Sequence, residues 1–291
     1  VDSRLTPAPI RAGLLAARNA DGGWPYYPAH TSRLEPTVWA LLALARDTER
    51  PADVDVLLRW PRKDDWLIDG PPSAPVNYPF NALAALACLD RQDALPLVQG
   101  IGRKLVGAKG IAIPQNDVQR QDNGLQAWPW IDQTFSWVEP TAWCTLFLKK
   151  ARALAFPGAA DRIEVAERVI RDRVCQNGGW NYGSSNVYGQ ELYPYVPTTA
   201  LALLAMQDRK ADAAVVKSVA YLQKNVTTEP TSLALSLSAI CLAIYGLPVE
   251  AVRRNLAGSA DISVMRANTL ALGMSLYALS DSPHAMAAFA L

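Results

Sequence analysis

A repeated pairing of a tryptophan-bearing turn with a proline-initiated apolar helix constrains this chain more than any other feature. The stretch NADGGW (19–24) precedes LEPT (34–37), and a shift of 104 residues carries Trp24 onto Trp128, Glu35-Pro36-Thr37 onto Glu139-Pro140-Thr141 and Trp39 onto Trp143 without a gap. A shift of 42 carries Trp24 onto Trp66 and ALLAL (40–44) onto ALAAL (82–86). Looser copies follow: Asn177-Gly178-Gly179-Trp180 ahead of Val196-Pro197-Thr198, then Glu229-Pro230-Thr231 with no tryptophan turn, and Ala267-Asn268-Thr269 opening LALGMSLYAL. Such a period marks a fold assembled from like supersecondary units.

Each unit begins with an amphipathic helix, such as 10–18 or 160–173, whose apolar residues fall at helical spacing. A Gly- or Asn-containing turn reverses the chain, because glycine accepts a left-handed backbone without a side-chain clash. A helix that is apolar nearly all round then starts at Pro36, Pro140, Pro197 or Pro230, residues suited to the first helical turn, where no amide hydrogen is missed. A helix with one wet face thus alternates with a helix that has almost none. Six such pairs predict an all-α (α/α)6 toroid, inner ring within outer ring, occupying residues 1–291 as one domain with its tryptophan turns at one end.

With 28 basic and 27 acidic residues and no long run of either, nothing in the charge pattern points to nucleic acid or an anionic membrane. The most apolar stretch, SLALSLSAICLAIYGLPV (232–249), reads as a buried helix rather than a membrane span, which leaves only peripheral membrane contact open. Cys88, Cys144, Cys175 and Cys241 are far apart and read as core thiols. The opening VDSRLTPAP carries no leader pattern, and localisation stays open between cytoplasmic and peripheral membrane. No phosphate-binding glycine loop, nucleophile elbow or His-rich metal pattern occurs, so neither a cofactor nor a metal is expected.

Two residue sets are candidates for function. Glu35, Glu139 and Glu229 head alternate units and should ring one mouth of the toroid. With neighbouring inner helices roughly 10 Å apart, alternate axes are about 17 Å apart, too far for strong coupling unless the side chains reach inward. A helix N-terminus favours the ionised carboxylate. Each glutamate is therefore either a helix-capping brace or an acid whose environment must keep it protonated. The second set is aromatic: Trp128, Trp130, Trp137, Tyr78, Phe80, Tyr182, Tyr188, Tyr193 and Tyr195 lie in or beside the hairpins and either line an apolar cavity or pack the turns. Two long excursions, 107–133 and 177–195, are placed to cover the mouth.

LLAARNADGGW (14–24) resembles the QW repeat of squalene-hopene and oxidosqualene cyclases, whose toroid is shared with protein prenyltransferase β subunits. The resemblance implies a terpene-cyclase-like protein that takes an apolar isoprenoid in an aromatic-lined cavity, with isomerase chemistry begun by Glu139 or Glu35 acting as an acid. Those cyclases carry a D-x-D-D acid segment; here Arg33-Leu34-Glu35-Pro36 and Trp137-Val138-Glu139-Pro140 stand in its place. Prenyltransferases hold zinc with Asp, Cys and His, and this chain has only His30 and His284. Two alternatives accompany this expectation: a non-catalytic isoprenoid-binding toroid, and an (α/α)6 carbohydrate-active enzyme, for which Asp132 with Glu139 is the first carboxylate pair to measure.

Overall fold

The computed structural model describes residues 6–46, 53–258, 268–280 and 286–291. Twelve α-helices are present among them: α1 (Pro7–Ala16), α2 (Leu34–Arg46), α3 (Asp55–Leu58), α4 (Tyr78–Cys88), α5 (Leu95–Gly107), α6 (Val138–Lys150), α7 (Ala159–Asp172), α8 (Val196–Ala205), α9 (Ala213–Asn225), α10 (Ser232–Ile244), α11 (Glu250–Gly258) and α12 (Thr269–Leu279). The even-numbered helices pack side by side in sequence, and α12 packs on α2 to close the ring; odd-numbered helices lie outside them. The fold is an all-α (α/α)6 toroid. Two short antiparallel ribbons, β1 (Arg62–Lys63) with β2 (Trp66–Leu67) and β3 (Asn186–Val187) with β4 (Gln190–Glu191), decorate the connections. Ala267 and His284 lie outside the described residues.

Helix composition follows ring position. In α6, α8 and α10 nearly every residue is buried, since an inner helix meets neighbours on both flanks and an outer helix behind. In α7 the buried side chains form one stripe, which includes Arg162 and Glu167, while Asp161, Glu164 and Arg168 face outward. Where α12 crosses α2, a Cβ on Gly273 would come within 3.1 Å of the Trp39 backbone, so a side chain there would push the ring open. Lys149, buried on α6, donates to Asp208 and to the Ala205 carbonyl and pairs with Glu167 of α7 at 2.8 Å, tying three helices together.

The tryptophan turns are built alike at the atomic level. In the first hairpin the indole of Trp24 donates to the Leu14 carbonyl near the end of α1 (2.7 Å), and its amide donates to the Thr37 hydroxyl on α2 (2.8 Å). Trp128 does the same with Leu105 and Thr141, and Trp180 with Ile170 and Thr199. One tryptophan therefore welds an outer helix to the inner helix that follows it. The turn ahead of it also recurs: Asn19 donates to Gly23 and Gly22 to Asn19, as Cys175 does to Gly179 and Gly178 to Cys175. Gly178 sits at φ 83°, and a Cβ on it would lie 2.7 Å from the Lys217 carbonyl oxygen.

The second and fifth hairpins depart from this pattern. Alignment puts Trp66 opposite Trp24, but the residue whose backbone is held by the inner helix is Leu67, gripped by both ends of the Asn81 amide. Asn81 replaces the threonine one position later, and Trp66 instead packs on Tyr78, their rings 5.3 Å apart. In the fifth hairpin α10 begins only at Ser232, so Pro230 precedes the helix rather than opening it.

Position two beyond each anchored residue links neighbouring units. The Tyr26 carbonyl accepts from Thr269 of α12, that of Trp130 from Tyr78 of α4, and that of Tyr182 from Val138 of α6. In the second hairpin the carboxylate of Asp69 does this job, accepting from the Leu34 amide of α2 (2.7 Å). These bonds satisfy amides that open an inner helix, which would otherwise lack partners. The Tyr26–Thr269 bond joins the first unit to the last.

Candidate functional site

Glu35 and Glu139 occupy the second positions of α2 and α6 at the rim where the tryptophan turns gather. Both side chains retain intermediate exposure, yet burial is the strongest influence on each carboxyl. Each carboxyl is thus largely enclosed by protein at the rim of the inner ring while its residue is still reached by solvent. Glu35 accepts a hydrogen bond from the Tyr26 phenol (2.5 Å), and Glu139 accepts one from the Thr198 hydroxyl of α8 (3.1 Å).

Burial pushes the Glu35 carboxyl up to about 7, opposed by the Tyr26 hydrogen bond and reinforced by the charges of Glu139 and Asp69. Glu139 is also raised, by burial, against the bond from Thr198. The charge of Glu139 is felt at Glu35, so the two carboxyls lie within electrostatic reach although they stand on alternate helices. Macrodipole stabilisation is too weak to keep Glu35 ionised: the lift from 4.5 to about 7 is worth roughly 3 kcal/mol, whereas a helix N-terminus contributes ~0.3–1 kcal/mol. Nor does Glu35 act as the cap of α2, because the Leu34 amide is taken by Asp69, itself clamped by Arg33 at 2.9 and 2.8 Å. Burial and the neighbouring Glu35 raise the Tyr26 phenol, so it remains a donor across the physiological range.

Glu229 does not join this pair. Its carboxylate accepts from the amide and hydroxyl of Thr231 in its own turn (3.2 and 2.9 Å), and its charge is felt by Tyr221 on outer helix α9. Asp132 is exposed, while Tyr78 is raised by burial and then by the charge of Asp132.

The aromatic candidates divide by position. Trp128 is 0 % exposed, with Arg162 stacked on its ring at 4.4 Å; it is a hairpin brace and presents nothing to a ligand. Tyr78 is buried against Trp66. Phe80 meets Trp130 edge to face at 6.0 Å, Trp137 lies against Phe135 at 4.7 Å, and Tyr182 against Tyr195 at 5.0 Å. Tyr182 also feels the charge of Glu139, which sets this pair beside the carboxylates. Tyr188 and Tyr193, 77 % and 85 % exposed, belong to the 177–195 loop. Tyr193 borders an outward cleft of about 680 Å³ against α9, with Lys217 and Tyr221 on its far wall. Tyr188 and Gly189, at φ 52° and 75°, form the tip of the β3–β4 ribbon, the conformation required by a two-residue hairpin. The two excursions are joined there, by Tyr188 donating to the Val118 carbonyl (2.7 Å) and by the Arg120–Glu191 pair (3.1 Å).

Below the carboxylates lies a layer of rings. Trp39 and Trp143 follow Glu35 and Glu139 by four residues and so stand on the same helix faces, one turn deeper. Their centroids are 6.2 Å apart, and Phe289, from the C-terminal segment, sits 5.3 Å from Trp39, 5.7 Å from Trp143 and 5.2 Å from Tyr277. The aligned Trp39 and Trp143 were a signal in the sequence for part of this layer. Nothing local marks Phe289 or Asp69, which arrive from distant segments, whereas Tyr26 lies in the turn just ahead of Glu35 and Thr198 in the repeated helix start of the fourth unit. Among the described residues no group of three or more His, Cys, Asp or Glu gathers as metal donors, and no helix is long and apolar enough to cross a membrane.

No protein-family model matches the chain, and no curated protein matches it. It is similar in structure to an α-amylase from Clostridium perfringens (8 % identity, TM-score 0.63, 94 % of this chain and 96 % of that one). It is also similar to a reducing-end-xylose releasing exo-oligoxylanase (11 %, 0.58, 94 % and 92 %) and to a family 76 glycoside hydrolase from a bovine Bacteroides thetaiotaomicron strain (9 %, 0.58, 94 % and 78 %). At these identities the likeness is one of fold. It corrects the terpene-cyclase and prenyltransferase resemblance, and with it the isoprenoid ligand and isomerase chemistry, because these toroids are glycoside hydrolases. The physical reason is visible in the hairpins: the tryptophan turn is a weld between two helices and says nothing about what the protein binds.

Proposed function

We propose that this chain is a carbohydrate-active toroid that carries out acid–base chemistry on a glycosidic bond at the Glu35–Glu139 rim. The observation that carries this reading is the carboxylate pair itself: two partly enclosed glutamates at one rim, the first pushed by burial up to about 7 and feeling the charge of the second, which burial also raises. Glycoside cleavage needs two such groups, a carboxylic acid to protonate the leaving oxygen and a carboxylate across the bond. Glu35 gives its proton to the glycosidic oxygen as the bond to the anomeric carbon breaks. Glu139 takes a proton from water as the water oxygen bonds to that carbon, and the two carboxyls then exchange protons with solvent. Thr198 orients Glu139, Tyr26 orients Glu35, and the Tyr182–Tyr195 and Phe80–Trp130 pairs supply ring faces for the apolar side of a sugar. The glycoside hydrolases of like fold support the choice of substrate class.

The test is incubation with xylo-oligosaccharides and α-glucans, with new reducing ends counted for the wild type, Glu35→Gln and Glu139→Gln. Release by the wild type, reduced by about 10²-fold or more in each variant, is the expected result. Absence of cleavage, or equal cleavage by all three proteins, would reject the reading.

A further inference from the structure

The strap 191–195 is fastened at successive backbone groups, yet its largest side chain stands in solvent. The Leu192 amide donates to the Ser185 carbonyl (2.8 Å), the Tyr193 carbonyl accepts from the Asn181 amide (3.3 Å), and the Pro194 carbonyl accepts from the Tyr221 phenol of α9 (2.9 Å). Tyr193, held between these bonds, keeps its ring exposed as one wall of the outward cleft of about 680 Å³. A ring shown from a pinned backbone loses little freedom when a ligand meets it. On the other wall Lys217, Tyr221 and Lys224 fall at i, i+4 and i+7, one face of α9. The two walls meet tightly: a Cβ on Gly179 would lie 2.8 Å from Pro194 Cβ and 2.9 Å from the Tyr221 ring. Glu191 also borders the cleft, but its carboxylate is engaged by Asn186 (3.0 Å) and Arg120 (3.1 Å). Glu229, whose charge reaches Tyr221, is folded onto Thr231. Lys217 donates to the Gln176 carbonyl, and Lys224 has no bonded partner among the described residues, so the cleft is left with positive charge for a ligand to answer.

We infer that this cleft is a second sugar-binding site, for a glycan that carries carboxylate groups: Tyr193 and Tyr221 offer ring faces to the C–H side of a uronic acid residue, and Lys224, with Lys217, receives its carboxylate. Aromatic walls suit the apolar face of a pyranose, and a lysine meets an anion as a point charge. The choice of a sugar chain as ligand rests on the function proposed above; the cleft and its charge do not. The strap also ties the cleft to the rim. Tyr195, two residues on and so at most ~7 Å of chain away, pairs with Tyr182, which feels the charge of Glu139. A chain held at Tyr193 is therefore kept close to the carboxylates, where its effective concentration rises.

The test is calorimetric titration in a Glu35→Gln background, which spares the probe from cleavage, with xylotetraose and with xylotetraose bearing a glucuronic acid. The acidic probe is expected to bind about 5-fold more tightly at low salt, an advantage that fades as ionic strength rises. Adding Tyr193→Ala should weaken the acidic probe by about 5- to 10-fold, Tyr193→Phe should restore most of that loss, and Lys224→Met should cost about 3-fold with the acidic probe alone. Tyr193 is exposed, so these variants keep the fold. No binding of the acidic probe, equal affinity for the two probes, or binding indifferent to Tyr193→Ala overturns the inference. Equal binding of a tetraglutamate peptide would assign the cleft to charge alone and overturn the choice of a sugar. If the wild type cleaves no glycan while the acidic probe binds through Tyr193, the glycosidic reading falls and the cleft stands; cleavage by the wild type with binding that ignores Tyr193 keeps that reading and removes the cleft.

Discussion

Replacing Tyr26 by phenylalanine removes a single oxygen from the site and should move the titration of Glu35 upward. The phenol donates to Glu35 Oε2 at 2.5 Å and thereby favours the ionised carboxylate, opposing the burial that raises it to about 7. A hydrogen bond to a charged group is worth about 1.5–3 kcal/mol, or ~1–2 pH units at 1.36 kcal/mol each. Solvent reaching the partly exposed Glu35 replaces part of the lost bond, so the lower end applies and the expected rise is ~1 unit. Infrared difference spectra of the protonated carboxyl stretch, recorded against pH for wild type, Tyr26→Phe and Glu35→Gln, isolate the Glu35 band. If cleavage is measurable, the alkaline limb of kcat/KM should move by the same amount and in the same direction. A fall in the midpoint on removing the phenol, or no change at all, would refute the account of what holds Glu35 near neutrality.

Other outcomes follow from the same contacts. Glu35 titrates higher in the folded chain than its ordinary 4.5, so stability is full below that value and is lost as pH rises through about 7; Glu35→Gln should flatten this slope in urea unfolding and stabilise the protein above pH 7 by on the order of 2–3 kcal/mol. Trp180→Phe removes the indole donor to the Ile170 carbonyl (2.6 Å) at a fully buried position, and thermal unfolding should report a loss of ~2–4 kcal/mol from the vacated volume and orphaned carbonyl. Lys149→Met strands part of the charge on buried Glu167 and should cost about 3 kcal/mol in the same assay. Gly189→Ala, at φ 75°, should lower stability by only ~1 kcal/mol while increasing proteolysis within 177–195.

The ring was legible because the units share atoms as well as letters. The Trp24-to-Thr37 spacing equals the Trp128-to-Thr141 spacing since the same hydrogen bond spans both, and a motif imposed by backbone bonding survives in sequence. The second hairpin misled because Asn81 grips Leu67 with one extra residue between them, which puts Trp66 out of register. Glu35 and Glu139 were visible as a repeated pair, but their protonation was not: burial comes from the packing of the whole ring, and it is opposed by bonds from Tyr26 in the preceding turn and Thr198 on α8. The chemistry was least legible, since the tryptophan turn that suggested a cyclase is required by the hairpin whatever the ligand.

The claim on which the rest depends is that Glu35 and Glu139 stand close enough at one rim for the charge of Glu139 to be felt at Glu35. Carbon-13 NMR of the Glu35 side-chain carboxyl, titrated in wild type and in Glu139→Gln, measures this directly. A wild-type midpoint near 7 that drops when Glu139 loses its charge is the predicted result; a midpoint near the ordinary 4.5, or one indifferent to Glu139, would contradict it.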